Sequence, residues 1–121
     1  MTRINCVPVT ELSRQHLVAE YRELPRVFTL ARAAWARGDE PVVHERYFLG
    51  EGHVKSFYCR LRWLRERWWH LHDEMVSRGY QANLPRSLGR DTVELPPEWQ
   101  GHWQPNEADM EINRARIKER S

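Results

Sequence analysis

The residues best suited to chemistry lie in the first 26 positions. Leu17, Tyr21, Leu24, Phe28, Ala31 and Trp35 recur at alternating spacings of four and three, as on one face of a helix. At about 100° per residue, Gln15, Arg22 and Arg26 fall opposite that apolar stripe. His16, Glu20 and Glu23 fall on one flank. Arg22 and Arg26 therefore form a two-cation clamp, suited to phosphate. Glu23 stands on the border between the clamp and the buried side. A carboxylate there is partly desolvated, which suits it to proton transfer. The chain's start supplies a nucleophile. Thr2 is small, so removal of Met1 is expected, exposing a threonine α-amine directly before Arg3. Such an amine has a pKa of about 7.7–8.0, against about 10.4 for lysine, and can attack a sugar or carbonyl carbon near neutral pH. The same residues also fit a plainer arrangement. Glu23 and Arg26 could be an exchangeable ion pair on a solvated face, and His16 and Glu20 a surface pair.

These side chains need a helix and an arm to hold them. Residues 1–9 form a short extended arm. Thr10 or Ser13 can cap the first helix, which ends near Gly38, with Pro25 placed to kink it. Residues 38–53 are loop-like and acidic, carrying Asp39, Glu40 and Glu45. A second stripe follows, through Phe57, Leu61, Leu64, Trp68, Leu71 and Met75, and stops at Gly79. Residues 80–105 carry four prolines and no sustained period, which predicts a long ordered loop pinned by Trp99 and Trp103. Asn106 can cap a last helix with Ala108, Ile112 and Ala115 on one face. The expected fold is all-α: a single compact three-helix domain over residues 1–121.

Composition narrows the function. The 121 residues include 19 cations, of which only Lys55 and Lys118 are lysine. Arginine favours fixed, forked contacts to phosphate. The formal charge of +2 conceals two basic blocks, residues 1–37 and 54–79, at +3 each. These are also the two best helix candidates, so a basic face is expected. Arg60, Arg62, Arg65 and Arg67 spread round the second helix and are expected to be mostly solvated. Trp63, Trp68 and Trp69 suit a core better than a base-stacking platform. Cys6 and Cys59 read as free buried thiols. The six histidines form no metal-ligand pattern, so no metal site is expected. No apolar run reaches the roughly 20 residues that span a bilayer, and the N-terminus lacks a signal-peptide core. A cytoplasmic, nucleoid-associated protein is expected, without a membrane partner.

The sequence also resembles the pyrimidine-dimer DNA glycosylase and abasic-site lyase family (phage endonuclease V-like). The matching segments are MTRIN at 1–5, QHLVAEYRELPRVF at 15–28, LGEGHV at 49–54 and FY at 57–58. LPPEWQG at 95–101, and PNEA with RAR up to 116, fit more loosely. The resemblance implies an all-α fold whose arm threads between helices so that the terminal amine reaches DNA. By position, Thr2 matches the nucleophile and Glu23 the catalytic carboxylate. Arg3, Arg22 and Arg26 match the phosphate-holding cations, and Gln15, His16, Arg116 and Arg120 complete the expected DNA-contact set. The implied reaction joins the Thr2 amine to C1′ of the deoxyribose at a cyclobutane pyrimidine dimer, then cleaves the strand by β-elimination. It needs no cofactor. The implied partner is damaged or abasic duplex DNA, kinked and with the opposing base extruded, bound by a monomer. Two alternatives stay open, the first because the family's aromatic and basic C-terminal tail has no counterpart before Ser121, the second for a chain that keeps Met1. One is an abasic-site lyase with weak dimer selectivity; the other is a non-catalytic DNA-binding module.

Overall fold

A computed structural model describes residues 2–121. Three helices carry the architecture: α1 (Arg14–Ala36), α2 (Leu61–Ser77) and α3 (Glu107–Glu119). Among the described residues, β-structure amounts to one bridge between Arg60 and Gln100. The all-α expectation holds.

Of the two cap candidates for α1, Ser13 is the one used. Its hydroxyl accepts the His16 N–H at 3.4 Å, while Thr10 lies in a single 3-10 turn just before it. Pro25 sits inside α1 without ending it. The missing N–H at that position removes one internal bond, but the flanking apolar stripe is fully engaged. The helix stops where Gly38 turns to φ +87°, and the Asp39 N–H returns to the Ala34 carbonyl at 3.0 Å. That closure satisfies the last turn's carbonyls in a conformation costly for residues with a Cβ.

The faces of α1 and α2 that pack together carry Leu17, Leu24, Leu61, Leu64, Trp68 and Leu71, all fully buried. Tyr21 stacks on Trp68 at 4.8 Å between ring centroids. Trp35, on the sequence stripe, is instead 44% exposed, in the last turn of α1. Trp63 and Trp68 are core residues as expected; Trp69, one position on, points outward.

The long segment before α3 is ordered by burial of Trp99 and Trp103 and by two 3-10 turns, Arg90–Glu94 and Pro97–Trp99. Trp103 stacks on Tyr47, and the Arg60 guanidinium lies over its ring at 4.3 Å. Arg60 is buried, against expectation: it donates to the His44 carbonyl and braces the acidic loop.

The face of α3 departs furthest from the sequence pattern. Ala108, Ile112 and Ala115 are exposed, and the buried residues are Asp109 and Asn113. The reason is hydrogen bonding, not apolar burial. Asp109 closes a capping box with Asn106 and accepts the Tyr47 N–H at 3.1 Å. Asn113 binds the N-terminal arm. No helix among the described residues is long and apolar enough to cross a membrane.

Candidate active site

Residues 2–8 form no helix or strand, yet Ile4, Asn5, Cys6 and Val7 are buried. A buried irregular strand must find partners for its peptide groups outside itself. Here side chains from three directions provide them. Asn113 Oδ1 accepts the Cys6 N–H at 2.7 Å and the Val7 N–H at 3.1 Å. Arg67 Nη1 donates to the Val7 carbonyl at 2.6 Å. Tyr47 donates its hydroxyl to the Ile4 carbonyl at 2.8 Å. His53 Nε2 accepts the Ile4 N–H at 3.0 Å, while its Nδ1 lies 2.8 Å from the Phe48 carbonyl. An amide can only donate and a carbonyl only accept, so the proton of His53 is on Nδ1. Burial, with the Arg3 and Arg60 cations nearby, lowers the His53 pKa to about 4. The ring is therefore neutral at physiological pH, as its acceptor role requires.

The side chain of Asn5 completes this lattice. It donates to Glu20 Oε1 at 2.9 Å and accepts from Asn113 Nδ2 at 2.7 Å. Glu20 and Arg67 form a two-point ion pair at 2.7 and 2.9 Å, with both side chains almost wholly buried. The surface pairing of His16 with Glu20 is thus corrected, and so is the solvated placement of Arg67. Each is drawn inward because the arm's polar groups must be met. Burial pushes the Cys6 thiol up to about 12, so it is inert filling in this lattice.

The arm so held delivers Thr2 to α1. The Thr2 hydroxyl donates to Glu23 Oε2 at 3.1 Å, and the same oxygen accepts from Arg26 Nη1 at 2.9 Å. Glu23 is about one-third exposed at 35%, on the helix border where spacing had put it. Beside it opens a cleft of about 230 Å³, walled by Arg3, Asn5, His16, Ala19, Glu20, Glu23, Arg116, Ile117 and Arg120. Three elements meet there: the arm, α1 and the C-terminal turn of α3. The last is fastened to the start of α1. Gln15 Nε2 donates to the Arg120 carbonyl at 3.3 Å, and His16 Nε2 lies 3.3 Å from Ser121 Oγ. Burial, and secondarily the Arg116 and Arg120 cations, work against the charge of Arg3 and lower its pKa. An anion entering the cleft would relieve that repulsion.

Arg3, His16, Glu23, Arg116 and Arg120 therefore line one opening, and Thr2 and Arg26 are tied to it through Glu23. Gln15 bonds to the Arg120 carbonyl beside it. Arg22 is exposed one turn before Arg26 on the same outer face. Removal of Met1 concerns a residue outside those described. Residues that spacing did not single out are Asn5, Tyr47, His53, Arg67 and Asn113. Arg67 and Asn113 carried a readable signal, a polar side chain at helical spacing between apolar ones (Leu64 and Leu71, Met110 and Ile117), whereas Asn5, Tyr47 and His53 lie in irregular segments with no period. Among the described residues, no group of three or more His, Cys, Asp or Glu is placed to hold a metal ion.

A family model described as pyrimidine dimer DNA glycosylase matches residues 1–88. The chain belongs to that family, whose members act on DNA. The matched span includes the arm, α1 and α2, hence Thr2, Glu23 and the lattice residues through Arg67. Asn113, Arg116 and Arg120, on α3, lie beyond it.

Proposed function

We propose that the protein is a DNA glycosylase with abasic-site lyase activity at cyclobutane pyrimidine dimers, working through the α-amine of Thr2. The observation that carries this reading is the contact of Thr2 with Glu23 at the mouth of an arginine-walled cleft. With Met1 removed, the free amine replaces the peptide nitrogen at a position already fixed by the arm. Its ordinary pKa leaves roughly a tenth of it unprotonated near neutrality.

The reaction follows from these groups. The amine lone pair attacks C1′ of the dimer's 5′ deoxyribose, and the glycosidic C1′–N1 bond breaks as the base leaves with its electron pair. The base takes up a proton. The new C1′ ammonium loses a proton, the sugar ring opens, and a protonated imine links Thr2 to C1′. Glu23, with Oε2 aimed at Thr2, stabilises the positive charge and relays these protons. The imine then withdraws electrons from the C2′–H bond. Loss of that proton expels the 3′ phosphate, and the strand is cut. Arg3, Arg22, Arg26, Arg116 and Arg120 hold the backbone phosphates while this happens. His16 contacts DNA at the cleft rim, and Gln15 supports that rim through α3. A lesion-weakened pair opens at lower cost than an intact one, which favours damaged sites.

The test incubates the protein with UV-irradiated, abasic and undamaged duplexes in the presence of borohydride. Covalent adducts on both damaged duplexes and none on the undamaged one are expected. An adduct on the abasic duplex alone reduces the activity to a lyase. No adduct on either, with Thr2 confirmed as the first residue by mass spectrometry, overturns the mechanism. Glu23→Gln should abolish cleavage while duplex binding persists.

A further inference from the structure

The outward side of α2 takes no part in the cleft beside Glu23. Arg62, Arg65 and Trp69 share that side, three and four residues apart. The segment after α2 brings Arg86 and Arg90 alongside. Together they line a cleft of about 660 Å³ with Leu88 and Val93. None of its wall residues belongs to the cleft beside Glu23. Trp69 is 39% exposed and Val93 56%, although the rest of the tryptophan cluster is core.

The cleft has fixed parts. Arg86 lies over the Trp69 ring at 5.4 Å and is held there by two bonds to Asp73, at 2.9 and 3.1 Å. That arrangement braces one side of the indole. Arg65 Nη1 is anchored to Thr92 Oγ1 at 2.9 Å. The acidic residue at the rim, Glu66, is engaged by His102 at 2.7 Å and stands 3.9 Å from Arg62. Four arginines thus face one carboxylate within the cleft, with Asp73 outside it on Arg86.

We infer that this cleft is a second DNA site, which takes a single-stranded segment with its phosphates on Arg62, Arg65 and Arg90 and a base against Trp69. Charge selects an anionic polymer. The exposed indole and the apolar wall select against an intact duplex, whose bases face inward and would leave both unmatched. An unpaired strand offers phosphate and base face together. The two clefts share no wall residue, so occupation of both at once is expected.

The experiment preloads the protein with a duplex carrying a tetrahydrofuran abasic analogue, which cannot form an imine. A fluorescein-labelled oligothymidylate of about eight nucleotides is then titrated, with anisotropy as the readout. A ternary complex is expected. Trp69→Ala should weaken oligothymidylate binding by about fivefold or more. Arg62→Glu with Arg90→Glu should lower the salt slope of that binding by about 1.4. Cleavage of a short abasic duplex should stay at the wild-type rate in both variants. Failure of the preloaded protein to bind the oligonucleotide overturns the inference. So does wild-type binding by both variants, or displacement of the oligonucleotide by undamaged duplex at equal concentration.

Discussion

Replacing Asn113 by alanine tests the structural basis of the site more sharply than changing any residue that faces the cleft. Asn113 is fully buried on α3 and makes three contacts to the arm: from the Cys6 and Val7 N–H groups at 2.7 and 3.1 Å, and to the Asn5 side chain at 2.7 Å. The substitution leaves two amides and one amide oxygen without partners in a region closed to water. Each orphaned buried group costs about 1–3 kcal/mol, less where the chain can relax. A total loss of about 3–5 kcal/mol follows, or a fall in Tm of roughly 12–20 °C. Ile112→Ala, one position earlier, is the control. Ile112 is 41% exposed, and its truncation should cost about 0.5 kcal/mol or less. Urea unfolding gives both values. Single-turnover cleavage of an abasic duplex, well below the lowered Tm, then reports on the arm. A displaced Thr2 should slow the chemical step by about 10- to 100-fold with little change in duplex affinity. If Asn113→Ala costs no more than Ile112→Ala, or leaves the chemical step unchanged, α3 does not hold the arm.

Three further outcomes are expected. His53 has a folded pKa of about 4, below the unfolded value of about 6.5, so its stabilising effect is complete above pH 6.5 and is lost as pH falls through 4. Urea unfolding between pH 7.5 and 4 should show a decline of about 3 kcal/mol that is absent in His53→Gln. Gly101→Ala places a Cβ 2.3 Å from the Cys59 carbonyl oxygen, where two backbone segments meet, and should cost about 1–3 kcal/mol by thermal unfolding. Arg26→Ala removes one cation and the second hold on Glu23 Oε2. It should lower the salt slope of duplex binding by about 0.9 and also slow cleavage, as read by titration at several salt concentrations and by single-turnover kinetics.

Spacing located α1, α2 and the residues of α1 that meet the arm, because apolar burial dominates where two helices pack face to face. Glu23 is the clearest case: its border position on the wheel is its position in the fold. The same logic failed on α3. Its inward residues, Asp109 and Asn113, are polar, and a search for apolar recurrence selects the exposed Ala108, Ile112 and Ala115 instead. Glu20 and Arg67 were misplaced for a related reason. A charged residue in isolation belongs in solvent, and only the partner supplied by another element, here with Asn5 of the arm, makes burial tolerable. Trp69 and Trp35 show the converse. Apolar type alone does not decide burial at the edge of a packed face. The arm's route through the molecule was legible only from the family resemblance, since an irregular segment leaves no period to read.

The Thr2 amine is the group proposed to bond to DNA. The direct measurement is to trap the adduct on an abasic duplex with borohydride, digest it, and locate the attached sugar remnant by tandem mass spectrometry. The remnant is expected on the α-nitrogen of a first-residue threonine, with none on Lys55 or Lys118. A remnant on either lysine, or on a chain that keeps Met1, would contradict that proposal.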